Sequence, residues 1–338
     1  MKAAWIGKQR GMRIVLMMIL SMALLAAGCG NTNNKGIVEG KVNVVTSFYP
    51  LYFLVNEIGG DTVNTINLIP AGVEPHDWTP KSQDIQNASQ AQLLIVQGAG
   101  FEGWLDDFKK GLDAQSTVQI TEASKGIALI TATGDEHEGE AHQHEEAEAG
   151  HENHEGHEGH DHDHGGIDPH TWVSPKSALI MAQNVKDALI QANVSHKAEY
   201  DQRYETLHKK LVALDQEYVD SLQSLKKREM VVSHQAFGYL CRDYNLAQHA
   251  IMGVSPDAEP RAQDLVKLSK LVKEEGIKYI FFEELVSDQL AKTLADETGV
   301  ETLVLSPLEG LTQEQEKAGD NYITLMERNL QNLLQALQ

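Results

Sequence analysis

Residues 195–227 contain neither glycine nor proline, and their apolar residues Tyr200, Tyr204, Leu207, Leu211, Leu214, Tyr218, Leu222 and Leu225 are spaced by three or four. That spacing lays one stripe along one face of a helix. At a rise of 1.5 Å per residue the segment makes a rod of about 50 Å, the span of two small lobes. A stripe of this kind needs a partner surface. A coiled-coil dimer would supply one, but sequence of another kind on both sides favours a single stiff connector.

Before the connector, short β-branched runs at 44–48, 63–69, 93–97 and 118–120 alternate with helical patterns at 51–58, 82–91 and 104–112. After it the pattern restarts. Runs at 230–233, 247–252, 279–282 and 302–305 alternate with helical stretches at 236–244, 262–275, 291–298 and 321–337. Strands that alternate with helices argue for parallel sheets covered by helices. The expected fold is α/β, with two lobes, each a parallel sheet flanked by helices, joined by one long rigid α-helix. The boundaries are 41–194 for the N-terminal lobe, 195–227 for the connector and 228–338 for the C-terminal lobe.

One segment breaks the alternation. Residues 133–166 hold no aromatic and no aliphatic larger than alanine, and cannot bury enough surface to fold alone. They read as a disordered loop inserted in the first lobe. Nine of the chain's 15 histidines lie there, namely His137, His142, His144, His151, His154, His157, His160, His162 and His164, among twelve acids. The formal net charge of −21 owes much to this tract and has the wrong sign for a nucleic-acid binder. Two cysteines, Cys29 and Cys241, are too few for a disulfide framework or a cysteine-built zinc cluster.

The first residues read as an address. Lys2, Lys8, Arg10 and Arg13 precede an apolar run over 14–27, too short to span a bilayer comfortably but suited to a signal-peptide core. Leu25-Ala26-Ala27-Gly28-Cys29 resembles a bacterial lipobox, with Ala26 where a larger aliphatic residue is usual. This implies a lipoprotein signal peptide over 1–28, lipidation of Cys29, a flexible tether over 29–40, and a protein held at the extracytoplasmic face of the cell membrane. No other stretch suits a membrane span and no phosphate loop is present, so the chain is neither a permease nor its ATPase.

The ordered histidines carry the chemistry. His76 lies in Glu74-Pro75-His76-Asp77-Trp78-Thr79-Pro80, and His170 in Asp168-Pro169-His170-Thr171-Trp172-Val173-Ser174-Pro175. Each frame has an acid and a proline before the histidine, a tryptophan two residues on and a further proline, which makes a stiff loop presenting one imidazole. His234 ends the run over 230–233, and Glu309 follows the last strand of the second lobe. His76, His234 and Glu309 thus follow carboxyl ends of expected strands, where ligands collect in open α/β sheets. The inference is a metal site between the lobes built from three imidazoles and one carboxylate. His196, His208 and His249 lack such placement and read as surface or helix-packing residues.

The whole mature chain resembles the zinc-binding lipoproteins of metal ABC importers, the cluster A-I solute-binding proteins. The resemblance rests on Val45-Thr46-Ser47-Phe48-Tyr49-Pro50, both Pro-His frames, Gly98-Ala99-Gly100-Phe101-Glu102-Gly103-Trp104 and Val232-Ser233-His234-Gln235-Ala236-Phe237. Ser255-Pro256-Asp257-Ala258-Glu259-Pro260 and Ser306-Pro307-Leu308-Glu309-Gly310-Leu311 complete the set. Carried over by motif, the family's metal ligands fall on His76, His170, His234 and Glu309, and its fold is two α/β lobes on one long helix.

The resemblance implies a monomeric, non-enzymatic protein that captures Zn2+ and delivers it to a membrane ABC permease with a cytoplasmic ATPase. Manganese carriers of the family are expected to place a carboxylate where His234 stands; three imidazoles and one carboxylate suit zinc. The competing readings are a carrier of Mn2+ or another divalent ion, and a surface metal-storage or adhesin lipoprotein. Release is expected to move the loops around His76 and His170, and acid is expected to weaken binding near the ordinary histidine pKa of ~6.5 or below. The His-rich tract is a second, weaker metal feature. Glu102, Trp104, Asp257 and Glu259 are expected to be structural.

Overall fold

Two four-stranded, wholly parallel sheets carry the alternation seen in the sequence. The computed structural model describes residues 36–131, 166–256 and 260–338. In the first half, β1 (Val42–Thr46), α1 (Tyr49–Gly59), β2 (Val63–Asn67), α2 (Ser82–Gln90), β3 (Leu93–Val96), α3 (Leu105–Gly111) and β4 (Gln119–Glu122) build a sheet of order β2-β1-β3-β4. The centre strands β1 and β3 are buried throughout, as apolar runs covered on both faces must be.

A two-residue antiparallel clip follows. β5 (Ile130–Thr131) pairs with β6 (Ile167–Asp168), Ile130 opposite Asp168 and Thr131 opposite Ile167. The His-rich tract lies between these strands, and its histidines are outside the described residues, as is Cys29.

Two helices then lie side by side. α4 (Pro175–Ala192) starts on a proline, whose missing N–H costs nothing in a first turn, and buries Ala178, Met181, Ala182, Val185, Ala188 and Leu189. α5 (Lys197–Leu222) is the connector. Its stripe, Tyr200, Tyr204, Leu207, Leu211, Leu214, Tyr218 and Leu222, is buried within the chain, so the coiled-coil alternative has no free face to use.

The connector is shorter than the expected 195–227, at 26 residues and about 39 Å. At its start Asn193 accepts from Ser195 N–H and shapes a 3-10 turn over Val194–His196. At its end Arg228 donates to the carbonyls of Gln223 and Tyr244, tying the chain down before Leu225 can extend the helix.

The second half repeats the first. β7 (Glu229–Val232), α6 (Gly238–Tyr244), β8 (Ala247–Ala250), α7 (Ala262–Glu274), β9 (Tyr279–Phe282), α8 (Gln289–Thr298) and β10 (Glu301–Val304) give the order β10-β9-β7-β8. Counted within each half, both sheets run second-first-third-fourth, so each has its crevice between the first and third strands. α9 (Gln313–Ala318) and α10 (Tyr322–Leu337) close the chain.

One core cluster joins the halves, running from Val44 and Ile95 through Trp172, Leu211 and Tyr218 to Val232, Phe281 and Leu330. Among the described residues no helix is long and apolar enough to cross a membrane.

Candidate metal centre

Four side chains from the two halves meet where the strands of both sheets end. His76 is in the loop after β2, His170 two residues past β6, His234 two past β7 and Glu309 five past β10. Oε1 of Glu309 lies 3.4 Å from Nε2 of His76, 3.3 Å from Nε2 of His170 and 3.4 Å from Nε2 of His234. Nε2 of His170 is 3.3 Å from that of His76 and 3.4 Å from that of His234. All four donor atoms fall within 4.8 Å of one another, and His170, His234 and Glu309 are buried. The structure therefore brings together all four residues singled out in the sequence.

His170 is held from both sides. Gln97, after β3, donates from its side chain to Pro169 O and Thr171 Oγ1. From the second half, Tyr239 O–H donates to Asp168 O at 2.6 Å and Tyr322 O–H to Trp172 O at 2.7 Å. Trp172 in turn donates its indole N–H to Pro307 O at 2.7 Å, and Ser174 O–H donates to Asp243. A segment that belongs to the first half by sequence is thus bonded to the second at four points.

Trp172 also packs edge-on to Phe48 and Phe101, with ring centroids 4.6 and 4.9 Å apart, under the imidazoles. Glu102 is structural, as expected. It accepts from Ser47 Oγ and the backbone N–H of Gln97 and Gly98, fixing the left-handed turn Gly98-Ala99-Gly100. Trp104 packs against Trp78 and Phe108. Asp257 and Glu259 are outside the described residues.

Glu309 depends on a strained turn. Leu308 is fully buried with a φ of 58°, a conformation a branched side chain rarely adopts, and it directly precedes the carboxylate. Asn329 of α10 holds the turn by donating to Ser306 O and accepting from Ser306 N–H.

The loop of His76 is tied more lightly. Gly72 N–H donates to Leu311 O, and the His76 ring stands edge-on to Phe101, with centroids 5.4 Å apart. The loops around His76 and His170, both expected to move on release, are unequally held: the His170 segment is bonded to the second half at four points.

Buried carboxylates set the charge of the metal-free site. Burial by itself disfavours a charged imidazole, but the charge and hydrogen bond of Glu283, then Glu309, hold the His234 pKa well above the ordinary range. For His170, burial is again outweighed, by Asp168 and Glu309, and the pKa is raised. For His76 burial wins over Glu309, and the pKa is lowered. Glu309 is pushed up by burial, but the three imidazoles win and keep it well below the usual carboxylate range. Glu74, two residues before His76, is pushed up to about 8, by burial first and the Glu309 charge second, and stands beside the site as a neutral acid at neutral pH.

The remaining ordered histidines fall elsewhere. His196 is half-exposed near Glu199, His208 lies against Tyr204 on α5, and His249 pairs with Glu229 across neighbouring strands. Sequence reasoning missed Glu283, whose Oε1 is 2.7 Å from Nδ1 of His234. It follows β9, the neighbour of β7 in the sheet, 49 residues away in sequence. Asp168 was visible only as the acid of its frame, yet its Oδ1 lies 2.8 Å from Nδ1 of His170.

Comparison with known proteins gives the same direction. The chain is 38% identical over 323 residues to the zinc-binding lipoprotein AdcA of Streptococcus pneumoniae, covering 96% of this chain and 60% of the relative. It therefore spans about three fifths of the length of that relative. It is also 38% identical over 325 residues to the high-affinity zinc uptake system protein ZnuA of Bacillus subtilis, covering 95% of this chain and 97% of the relative. The crystal structure of the Zn(II)-bound ZnuA-like domain of S. pneumoniae AdcA superposes with a TM-score of 0.71 at 36% identity, over 88% of this chain and 99% of that domain. A family profile, zinc-uptake complex component A periplasmic, matches residues 44–336, and the chain belongs to this family, ZnuA.

Proposed function

We propose that the chain captures Zn2+ outside the cytoplasm and passes it to a membrane ABC permease, with His76, His170, His234 and Glu309 as the ligands. The observation that carries this reading is the set of contacts among the four donor atoms. Five of the six separations are 3.3–3.4 Å. A tetrahedron with such edges has arms of about 2.1 Å, within the ~2.0–2.2 Å of zinc bonds to imidazole and carboxylate. In an octahedral arrangement the same edges imply arms of about 2.4 Å, a length typical of calcium, which takes oxygen and not imidazole ligands.

Four protein donors close a tetrahedron and leave no position for a reactive water, which argues for carriage over catalysis. Three imidazoles with one carboxylate disfavour manganese, which prefers oxygen donors.

The unequal anchoring supports an order of release. His170, His234 and Glu309 stay together as one half-site bonded across both halves, while the His76 loop swings away when the permease docks. Lipidation of Cys29, supported by the lipoprotein name of the pneumococcal relative, keeps the carrier beside that permease. The boundaries 41–194, 195–227 and 228–338 remain our division of the chain, with the connector helix itself at Lys197–Leu222, and the histidines of the 133–166 tract supply weaker metal sites.

The test is competitive zinc titration of the full chain against a chelator of known strength. One tight equivalent is expected. Sharing the ~10–16 kcal/mol of a structural zinc site evenly over four ligands gives about 2.5–4 kcal/mol each, a loss of about 70- to 900-fold in His234→Ala. A tight equivalent untouched by that substitution would refute the assignment.

A further inference from the structure

Each half of the molecule builds the same small device around its anchored histidine. In the first, Oδ1 of Asp168 accepts from the backbone N–H of His170 at 2.9 Å and faces Nδ1 of the same ring at 2.8 Å. In the second, Oε1 of Glu283 accepts from the backbone N–H of His234 at 3.3 Å and faces Nδ1 of that ring at 2.7 Å. One carboxylate oxygen thus grips both nitrogens of one residue, backbone and ring, and all four residues are buried.

A carboxylate only accepts, so in each ring Nδ1 carries the hydrogen. The lone pair of a neutral ring then lies on Nε2, the atom that faces Glu309 and the other imidazoles. The two carboxylates reach the same result by different routes. Asp168 precedes its histidine by two residues, whereas Glu283 arrives from the adjacent strand.

Asp168 is itself set from across the molecule. Gly238, the first residue of α6, lies so close that a Cβ there would sit 2.4 Å from Oδ2 of Asp168. No real Cβ tolerates that distance. Gly238 is four residues from His234, so one short stretch of the second half carries its own ligand and also leaves room for the carboxylate that orients the first half's ligand. Tyr239, the next residue, donates to Asp168 O and accepts from Ile130 N–H, locking the approach.

We propose that Asp168 and Glu283 are positioning residues of the zinc site, one in each half, and that Gly238 tunes the first of them across the interface. This rests on the reading of the four-donor group as the zinc site. The carboxylates fix the tautomer and angle of His170 and His234 and make each ring a better donor, while touching no metal themselves. Gly238 makes the orientation of His170 depend on the seating of α6.

The experiment uses the full chain in detergent, with Asp168→Asn, Glu283→Gln, Gly238→Ala and the double variant of Asp168 and Gly238. Zinc affinity is read by chelator competition, and imidazole N–H signals are read by NMR with 15N-histidine, before and after zinc. Wild type should show two protected Nδ1–H signals assigned to His170 and His234. Asp168→Asn and Glu283→Gln should each lose about 10–100-fold in affinity and shift only their own ring's signal.

Gly238→Ala should shift the His170 signal while leaving that of Glu283's partner in place. The double variant should lose about as much as the worse single, because both act through one carboxylate. Unchanged zinc affinity and ring signals in the amide variants would overturn the proposal, as would additive losses in the double. A fall in unfolding midpoint with unmoved Nδ1–H signals would also overturn it, since that is what a merely structural role gives. A wild-type chain with no tight zinc site would sink the functional reading instead.

Discussion

The metal-free site should hold protons that zinc must expel. Glu283 and Glu309 hold the His234 pKa well above its ordinary value, Asp168 and Glu309 raise that of His170 against burial, and burial lowers that of His76. The empty protein should therefore hold the protons of His234 and His170 to higher pH than a free histidine does, and give up that of His76 more readily. Glu309 is ionised and contributes no proton. Zinc accepts only neutral imidazole, so binding near pH 7 should release protons, from His234 above all. Each released proton makes affinity rise about tenfold per pH unit, or ~1.4 kcal/mol.

The affinity should thus climb with pH, by about tenfold per unit for each proton released, and flatten only when the pH passes the raised value of His234. This moves the window upward from the ~6.5 or below that free histidine suggests. Zinc calorimetry in buffers of different ionisation heat, between about pH 6 and 9, counts the protons directly. Zero release at pH 7 together with a flat affinity would refute the reasoning, because the imidazoles would then be neutral before zinc arrives.

Stability should follow with opposite signs in the two forms. A histidine with a raised folded pKa contributes stability below its unfolded value of ~6.5 and loses it as pH climbs through the folded value. The empty protein should therefore weaken toward alkaline pH while the thermal shift caused by zinc grows, which melting curves at several pH values would show. Tyr322→Phe leaves the Trp172 carbonyl without its buried donor and should cost about 1–3 kcal/mol in urea unfolding, with the zinc stoichiometry unchanged. Deleting residues 134–165 should leave one tight equivalent and remove only weaker sites; loss of the tight equivalent would make the histidine tract the principal metal chemistry. Cys29→Ser should move the protein from the membrane fraction to the soluble one, as read by fractionation and immunoblot.

The strands were legible because their β-branched runs are covered on both faces, and the four ligands because three follow strand ends and two sit in matching proline frames. The connector's stripe was legible too, but its ends were not. Absence of glycine and proline says only that a helix is allowed, whereas the ends are set by particular bonds, that of Asn193 to Ser195 N–H before the helix and those of Arg228 to the carbonyls of Gln223 and Tyr244 after it. α4 carries a readable signal, Pro175 followed by apolar residues at helical spacing, which the proline frame before it obscures. Glu283 was beyond sequence reasoning, because its partner is created by the pairing of β7 with β9. The left-handed Leu308 belongs to the same class, since its turn is held by residues far away in sequence, Asn329 bonding to Ser306 and Trp172 to Pro307.

The antiparallel clip of Ile130 with Asp168 and Thr131 with Ile167 sets the two ends of the 132–165 segment side by side. Once two ends are fixed together, closing a longer flexible connection costs only about 0.6 kcal/mol for each doubling of length. The clip is therefore a splice point at which evolution or an engineer can exchange one insert for another without refolding the scaffold. Its second strand ends two residues before His170, so the clip stands beside one of the four donors of the candidate metal centre. A fluorescent domain whose termini lie close together, grafted between Thr131 and Ile167, would turn the carrier into a reporter of its own cargo.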